Sequence, residues 1–212
     1  MKMRVASLLL LTICCLLLAV APAMADTELY SNGPYNGTIS GYNTGYGWAV
    51  SDSFTVPANS SIETLSIVYW DPSRSDTLTT EDVAFSAAPL PTTGFQTYTA
   101  TNTFLTQNLF GYYLFQADFS FANVPWSGAG WVTLQNACTT GGCSDGSAAA
   151  FWDENNGQSQ AFQNNGTGAI GSESFTLNGT TGGGTTPEPS SILLLGSGIL
   201  GLAGVLRRKL NR

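Results

Sequence analysis

Two cysteines five positions apart and one aromatic–acidic run are the groups between residues 26 and 186 whose types and spacing carry chemistry. Cys138-Thr139-Thr140-Gly141-Gly142-Cys143 encloses four residues, two of them glycine, which permits a tight ring. A metal site would want further ligands nearby, and the chain has no histidine to supply them. Cys138 and Cys143 are therefore expected to form a structural disulfide if the chain reaches an oxidising compartment. The second group is Phe151-Trp152-Asp153-Glu154-Asn155-Asn156-Gly157, followed by Gln158, Gln160, Asn164 and Asn165, with Trp152, Asp153, Glu154 and Asn155 as its candidate ligand-binding residues. Sugar sites use such sets, ring faces stacking on C–H surfaces while amides and carboxylates hold hydroxyls. The oxygens of Asp153, Glu154 and Asn155 also suit Ca²⁺, although EF-hand spacing is absent. The bland alternative is a strand ending in a polar hairpin, with Trp152 in the core.

Without histidine, Ser-His-Asp and Cys-His arrangements are impossible, as is a histidine-based zinc centre. A carboxylate pair of the glycosidase type is the remaining general route. Some pair among many acids will lie close by chance, so the composition does not support it. The expectation is no enzyme, no catalytic residues, no metal site and no cofactor, with Ca²⁺ as the one candidate ion.

Charge narrows the partners. Between Asp26 and Thr186, Arg74 is the only basic side chain against thirteen carboxylates, a net charge of −12. Such a surface repels nucleic acid phosphates and anionic lipid, and the plain expectation is a solvated acidic exterior.

The elements that must position these groups read as β throughout. Gly, Ser, Thr, Asn and aromatic residues dominate, and no sustained helical period occurs between the two ends. Strands are expected over 48–56, 62–70, 78–87, 95–103, 109–121, 131–135, 149–152 and 172–177, with a turn at 57–61 and breaks at 71–73 and 89–94. Within 62–70, Leu65, Ile67 and Tyr69 share one face; within 109–121, Tyr113, Phe115, Ala117, Phe119 and Phe121 do. About eight short strands at this spacing predict an all-β, antiparallel β-sandwich, jelly-roll-like, over 26–178. Residues 179–186, Gly-Thr-Thr-Gly-Gly-Gly-Thr-Thr, read as a flexible linker.

The two ends carry addresses. Lys2 and Arg4 precede an apolar run over 5–20, and Ala23-Met24-Ala25 supplies small residues for signal peptidase. Residues 1–25 thus read as a signal helix cleaved between Ala25 and Asp26. Cys14 does not make a lipoprotein box, because Ile13 stands where a small residue is required. At the other end Pro187-Glu188-Pro189 precedes an apolar run over 190–206, then Arg207, Arg208 and Lys209. Seventeen helical residues cover roughly 25 Å, close to the lower limit for a transmembrane helix, and the basic cluster acts as a stop-transfer signal on the cytoplasmic side.

Pro-Glu-Pro, one short span and an arginine-rich end over 186–212 together resemble the PEP-CTERM sorting signal of Gram-negative bacteria. The resemblance implies recognition and removal of the tail (187–212) by an exosortase after a transient stay in the inner membrane. The runs 131–136, 152–155 and 172–175 also look like exported PEP-CTERM ectodomains of unknown activity, which implies no chemistry. The resulting expectation is an exported cell-surface or extracellular-matrix protein with a passive structural β-domain, signal peptidase and exosortase as partners, and exopolysaccharide as a candidate partner. A glycan- or Ca²⁺-binding surface module is the alternative, and a glycosidase-like enzyme the weakest.

Overall fold

The computed structural model describes residues 27–45, 47–143, 150–164 and 168–182. The signal segment with Ala25 and Asp26, the sorting residues Pro187, Glu188 and Pro189, the span over 190–206 and the cluster Arg207, Arg208 and Lys209 lie outside them. Among the described residues the chain is all-β: β1 (Thr27–Ser31), β2 (Gly41–Asn43), β3 (Ala49–Asp71), β4 (Leu78–Ser86), β5 (Gln96–Thr99), β6 (Thr101–Gln107), β7 (Tyr113–Thr139), β8 (Phe151–Asp153), β9 (Ala161–Gln163), β10 (Gly168–Ile170) and β11 (Phe175–Thr181). Every pairing is antiparallel, and no helix among these residues is long and apolar enough to cross a membrane.

Two long strands organise the molecule. β3 pairs with β7 from Ala49↔Gln135 to Asp71↔Tyr113, with register shifts between Val56 and Ser60 and between Ile62 and Thr64. Where a turn was expected at 57–61, the strand instead passes through a bulge. Pro57 costs no sheet continuity there, because the irregular register asks for no ladder N–H at that position. Asn59 and Asn123 take positive φ of 58° and 63°, a region asparagine enters more readily than most residues. Asn59 N donates to Ser127 Oγ at 2.8 Å, and Ser60 Oγ donates to Pro57 O at 2.8 Å, fixing the crease. The expected strands 109–121 and 131–135 are likewise parts of the single strand β7, which starts only after the turn at Asn108–Tyr112.

About this crease the sheet doubles over. β9 and β4 flank the half containing residues 49–56 and 131–139, whereas β11, β8 and β6 flank the other half. Side chains then meet across the fold: Tyr30 reaches Phe54, and Phe121 takes edge contacts from Phe85 at 5.3 Å and Tyr98 at 4.7 Å. Leu78 N donates to Tyr69 Oη at 3.0 Å, and that hydroxyl donates to Asn102 Oδ1 at 2.9 Å. Leu65, Ile67, Tyr69, Phe115, Ala117, Phe119, Val132 and Leu134 are buried in one cluster, on the faces the alternation assigns. The expected strand 95–103 is split at Ala100, because β5 pairs with β4 on one half while β6 pairs with β7 on the other.

Residues 179–181 are not linker. They belong to β11, with Gly179 paired to Thr27 and to Ile62. A Cβ at Gly179 would collide with the Ser61 carbonyl, so this glycine serves close strand packing rather than flexibility.

Cys138 and Cys143 form a disulfide at the end of β7, with Cα atoms 4.1 Å apart. Asp76 braces the same loop, accepting from Gly141 N at 2.7 Å, Thr140 Oγ1 at 2.8 Å and Thr139 Oγ1 at 3.0 Å. A ring of this size constrains the unfolded chain by about 2 kcal/mol, and Asp76 holds the loop even after reduction. The double variant Cys138→Ser/Cys143→Ser should therefore fold and lose about 2 kcal/mol of stability in urea titration. Failure to fold would show that the loop depends on the bridge for its shape.

Candidate functional site

The run Trp152–Asn155 is consumed by the fold. β8 lies between β2 and β3, pairing Trp152 with Tyr42 and with Tyr69. Strand alternation then sends Trp152 inward, where it is fully buried. Its indole N–H donates to Ser174 O at 2.9 Å, and its ring meets Phe175 edge-on at 5.7 Å. Asp153 points the other way and is also buried. It accepts from Asn36 N and Gly37 N, each at 2.8 Å, and from the Trp70 indole N–H, so it organises the loop from Asn32 to Ser40. Asn155 donates to Asn32 O at 2.8 Å and accepts from Gly157 N at 2.8 Å and Ser172 Oγ at 2.9 Å. Glu154 bridges to Glu173 in the backbone and bonds Tyr42 through its side chain. Four neighbours thus face four different partners, and the stacking face expected of Trp152 is not available to a sugar. The three oxygen-bearing side chains do not converge on one centre, and among the described residues no group of three acids or cysteines is arranged to hold a metal.

The acids are not all on the exterior, contrary to the plain expectation. Asp52, Asp71, Glu81, Asp153 and Glu173 are inaccessible to solvent. Burial pushes the Asp52 carboxyl up to about 7, Asp71 to about 6 and Glu81 to about 8, and raises Glu173 well above the ordinary range, helped by the neighbouring Asp52. Asp52 keeps partners, accepting from Glu173 N and Ser53 N, each at 2.6 Å. Among the described residues neither carboxyl oxygen of Glu173 accepts a hydrogen bond, while Thr44 lies beside the buried Glu81 carboxyl. Asp52 and Glu173 do lie near each other, yet both are sealed beneath Asn32, whose amide donates to Ser159 Oγ and Glu173 O, each at 2.6 Å. A glycosidase-like pair would have to meet its substrate, and this one does not reach the surface.

Above that seal is a cleft of about 550 Å³, walled by residues 30–36 and 155–158. Its shape depends on Gly157: a Cβ there would come within 2.5 Å of Asn32 Oδ1 and 2.6 Å of Asn32 O. Tyr35, 41% exposed, Asn36, Asn156 and Gln158 line it. Of this wall, only residues 155–158 stood in the run singled out from the sequence. Tyr30, Asn32 and Tyr35 arrive from more than a hundred residues away, and no periodic signal marks them.

Residues 185–209 match the family model described as the PEP-CTERM protein-sorting motif. No curated protein matches the chain. The motif marks an exported, membrane-anchored or surface-directed chain and implies processing by an exosortase.

Proposed function

We propose that the β-domain is a structural component, jelly-roll-like and non-catalytic, that is carried to the cell surface or extracellular matrix by the sorting tail. The supporting observation is the fate of Trp152–Asn155: the strongest chemical candidate in the sequence is spent on internal contacts. In this reading signal peptidase acts between Ala25 and Asp26, and the chain waits in the inner membrane through the span over 190–206. Gly196, Gly198, Gly201 and Gly204 weaken that span's apolar character and let another helix approach closely, which suits recognition by a membrane enzyme better than permanent anchoring. Pro187 and Pro189 keep the approach extended, and Glu188 between them is the charged mark.

Glu188→Ala should leave export intact and make full-length protein accumulate in the inner membrane of a host carrying an exosortase. Intact mass and fractionation read the outcome. Wild-type protein that keeps Arg212 and stays in the membrane there would make the tail a plain anchor.

A further inference from the structure

The cleft walled by residues 30–36 and 155–158 does not end at Tyr30. A second cleft, of about 380 Å³, shares Tyr30 and Gln158 with it and continues past Ser53 and Thr55 to Gly130 and Trp131. Together they make one groove with three rings in sequence: Tyr35 at one end, Tyr30 in the middle and Trp131 at the other. Two of the rings are held from behind. Tyr30 donates through its hydroxyl to Asn32 Oδ1 at 3.1 Å and packs on Phe175 at 5.2 Å, while Trp131 leans on Phe162 at 5.6 Å. Between them stand amides and hydroxyls, and the side chains of Asn156 and Gln158 are exposed and make no hydrogen bond to the described residues. No charged side chain lines either cleft. Arg74 is elsewhere, over the Phe104 ring at 4.4 Å.

We propose that this groove binds a neutral polysaccharide chain, an extended run of uncharged hexoses stacking on Tyr35 and Trp131 and bonding through hydroxyls to Asn36, Asn156 and Gln158. A sugar hydroxyl both donates and accepts, and so does a side-chain amide, so each match satisfies both partners. Aromatic faces supply the apolar contact for the C–H side of the ring. A proline-rich peptide presents mainly carbonyl acceptors and would leave the amide oxygens without donors. A polyanion meets a domain of net charge −12 with no base in the groove. The proposal goes beyond the structural role and does not depend on it: an unoccupied groove would leave that role unchanged.

The test uses the exported protein purified from its host, titrated calorimetrically with gluco-, manno-, galacto- and N-acetylglucosamine hexasaccharides, hexagalacturonate and a proline-rich decapeptide. At least one neutral hexasaccharide should bind. Tyr35→Ala and the double variant Asn156→Ala/Gln158→Ala should each weaken it by about tenfold or more. Leu109→Ala, at a turn 91% exposed and outside the groove, should leave binding unchanged. Circular dichroism shows whether each variant is folded, and Asn156 and Gln158 are exposed enough to keep the double variant informative if Tyr35→Ala is not. Binding by none of the neutral hexasaccharides, binding by hexagalacturonate or the peptide alone, or equal loss in Leu109→Ala would each overturn the proposal.

Discussion

Thermal stability should fall as the pH rises from about 4 to about 8, opposite to the acid lability common among proteins whose carboxylates are paired. Glu81, Glu173, Asp52 and Asp71 are all buried, and among the described residues neither oxygen of Glu173 accepts a hydrogen bond. All four carboxyls are raised in the fold: Asp71 to about 6, Asp52 to about 7, Glu81 to about 8, and Glu173 well above the ordinary range. In the unfolded chain they ionise near 4. Below that pH both states hold the protons and the fold keeps its full stability. Between about 4 and about 8 the unfolded chain releases protons that the folded one retains, so stability drops with pH until the folded groups also ionise. Glu81 alone accounts for a loss on the order of several kcal/mol, against a total of about 5–15 kcal/mol for a domain.

Calorimetric melting at pH 5 and pH 8.5 reads this directly. Glu81→Gln should shrink the difference by raising the melting temperature at pH 8.5, because it removes the ionisation without changing side-chain size. Repulsion among surface acids has the same sign, but roughly 1 M salt screens it and leaves the buried part. An equal or higher melting temperature at pH 8.5 would mean that the buried carboxyls are solvated in solution.

Replacing Trp152 should cost more than any other single core change. The ring is inaccessible, touches Phe175, and ties β8 to the chain before β11 through the bond to Ser174 O. Trp152→Ala removes the largest buried side chain of the domain and is expected to cost about 3–5 kcal/mol. It also strands a buried carbonyl, which adds roughly 1–3 kcal/mol. Trp152→Phe keeps most of the ring and loses mainly the hydrogen bond, about 1–2 kcal/mol. Urea unfolding should place the two variants in that order below wild type. A Trp152→Ala protein within about 1 kcal/mol of wild type would show that β8 is dispensable to the core.

The sequence was most legible where burial is one-sided. Tyr113, Phe115, Ala117, Phe119 and Phe121 alternate with polar residues because one face of β7 meets the core and the other does not. Pro57 misled because a proline in a bulge looks locally like one in a turn; only the pairing of β3 with β7 tells them apart. β1, β2, β9 and β10 have three to five residues each, too few to establish a period. Glu81 follows Thr79 and Thr80 and precedes Asp82, a polar run that reads as solvent-facing, and nothing local shows that Thr44, distant in sequence, lies against it. The candidate site failed differently. Trp152 and Asn155 have the chemistry of a ligand site, and the same chemistry holds loops to strands; burial alone decides between the two uses.

The pairing of the first strand with the last has a consequence for how the protein is delivered. β1 has β11 as its one hydrogen-bonded neighbour among the described strands, and Thr27 sits opposite Gly179. A chain emerging amino end first therefore exposes β1 for the whole passage of the intervening domain, an open ladder with nothing to close it. Closure comes only when residues 175–181 have crossed, a few residues ahead of the sorting motif that begins at 185. The last seam of the fold is thus made as the sorting signal arrives. Completing the sheet and presenting the tail become one event, so a chain cut short before β11 would lack both its closing strand and its address.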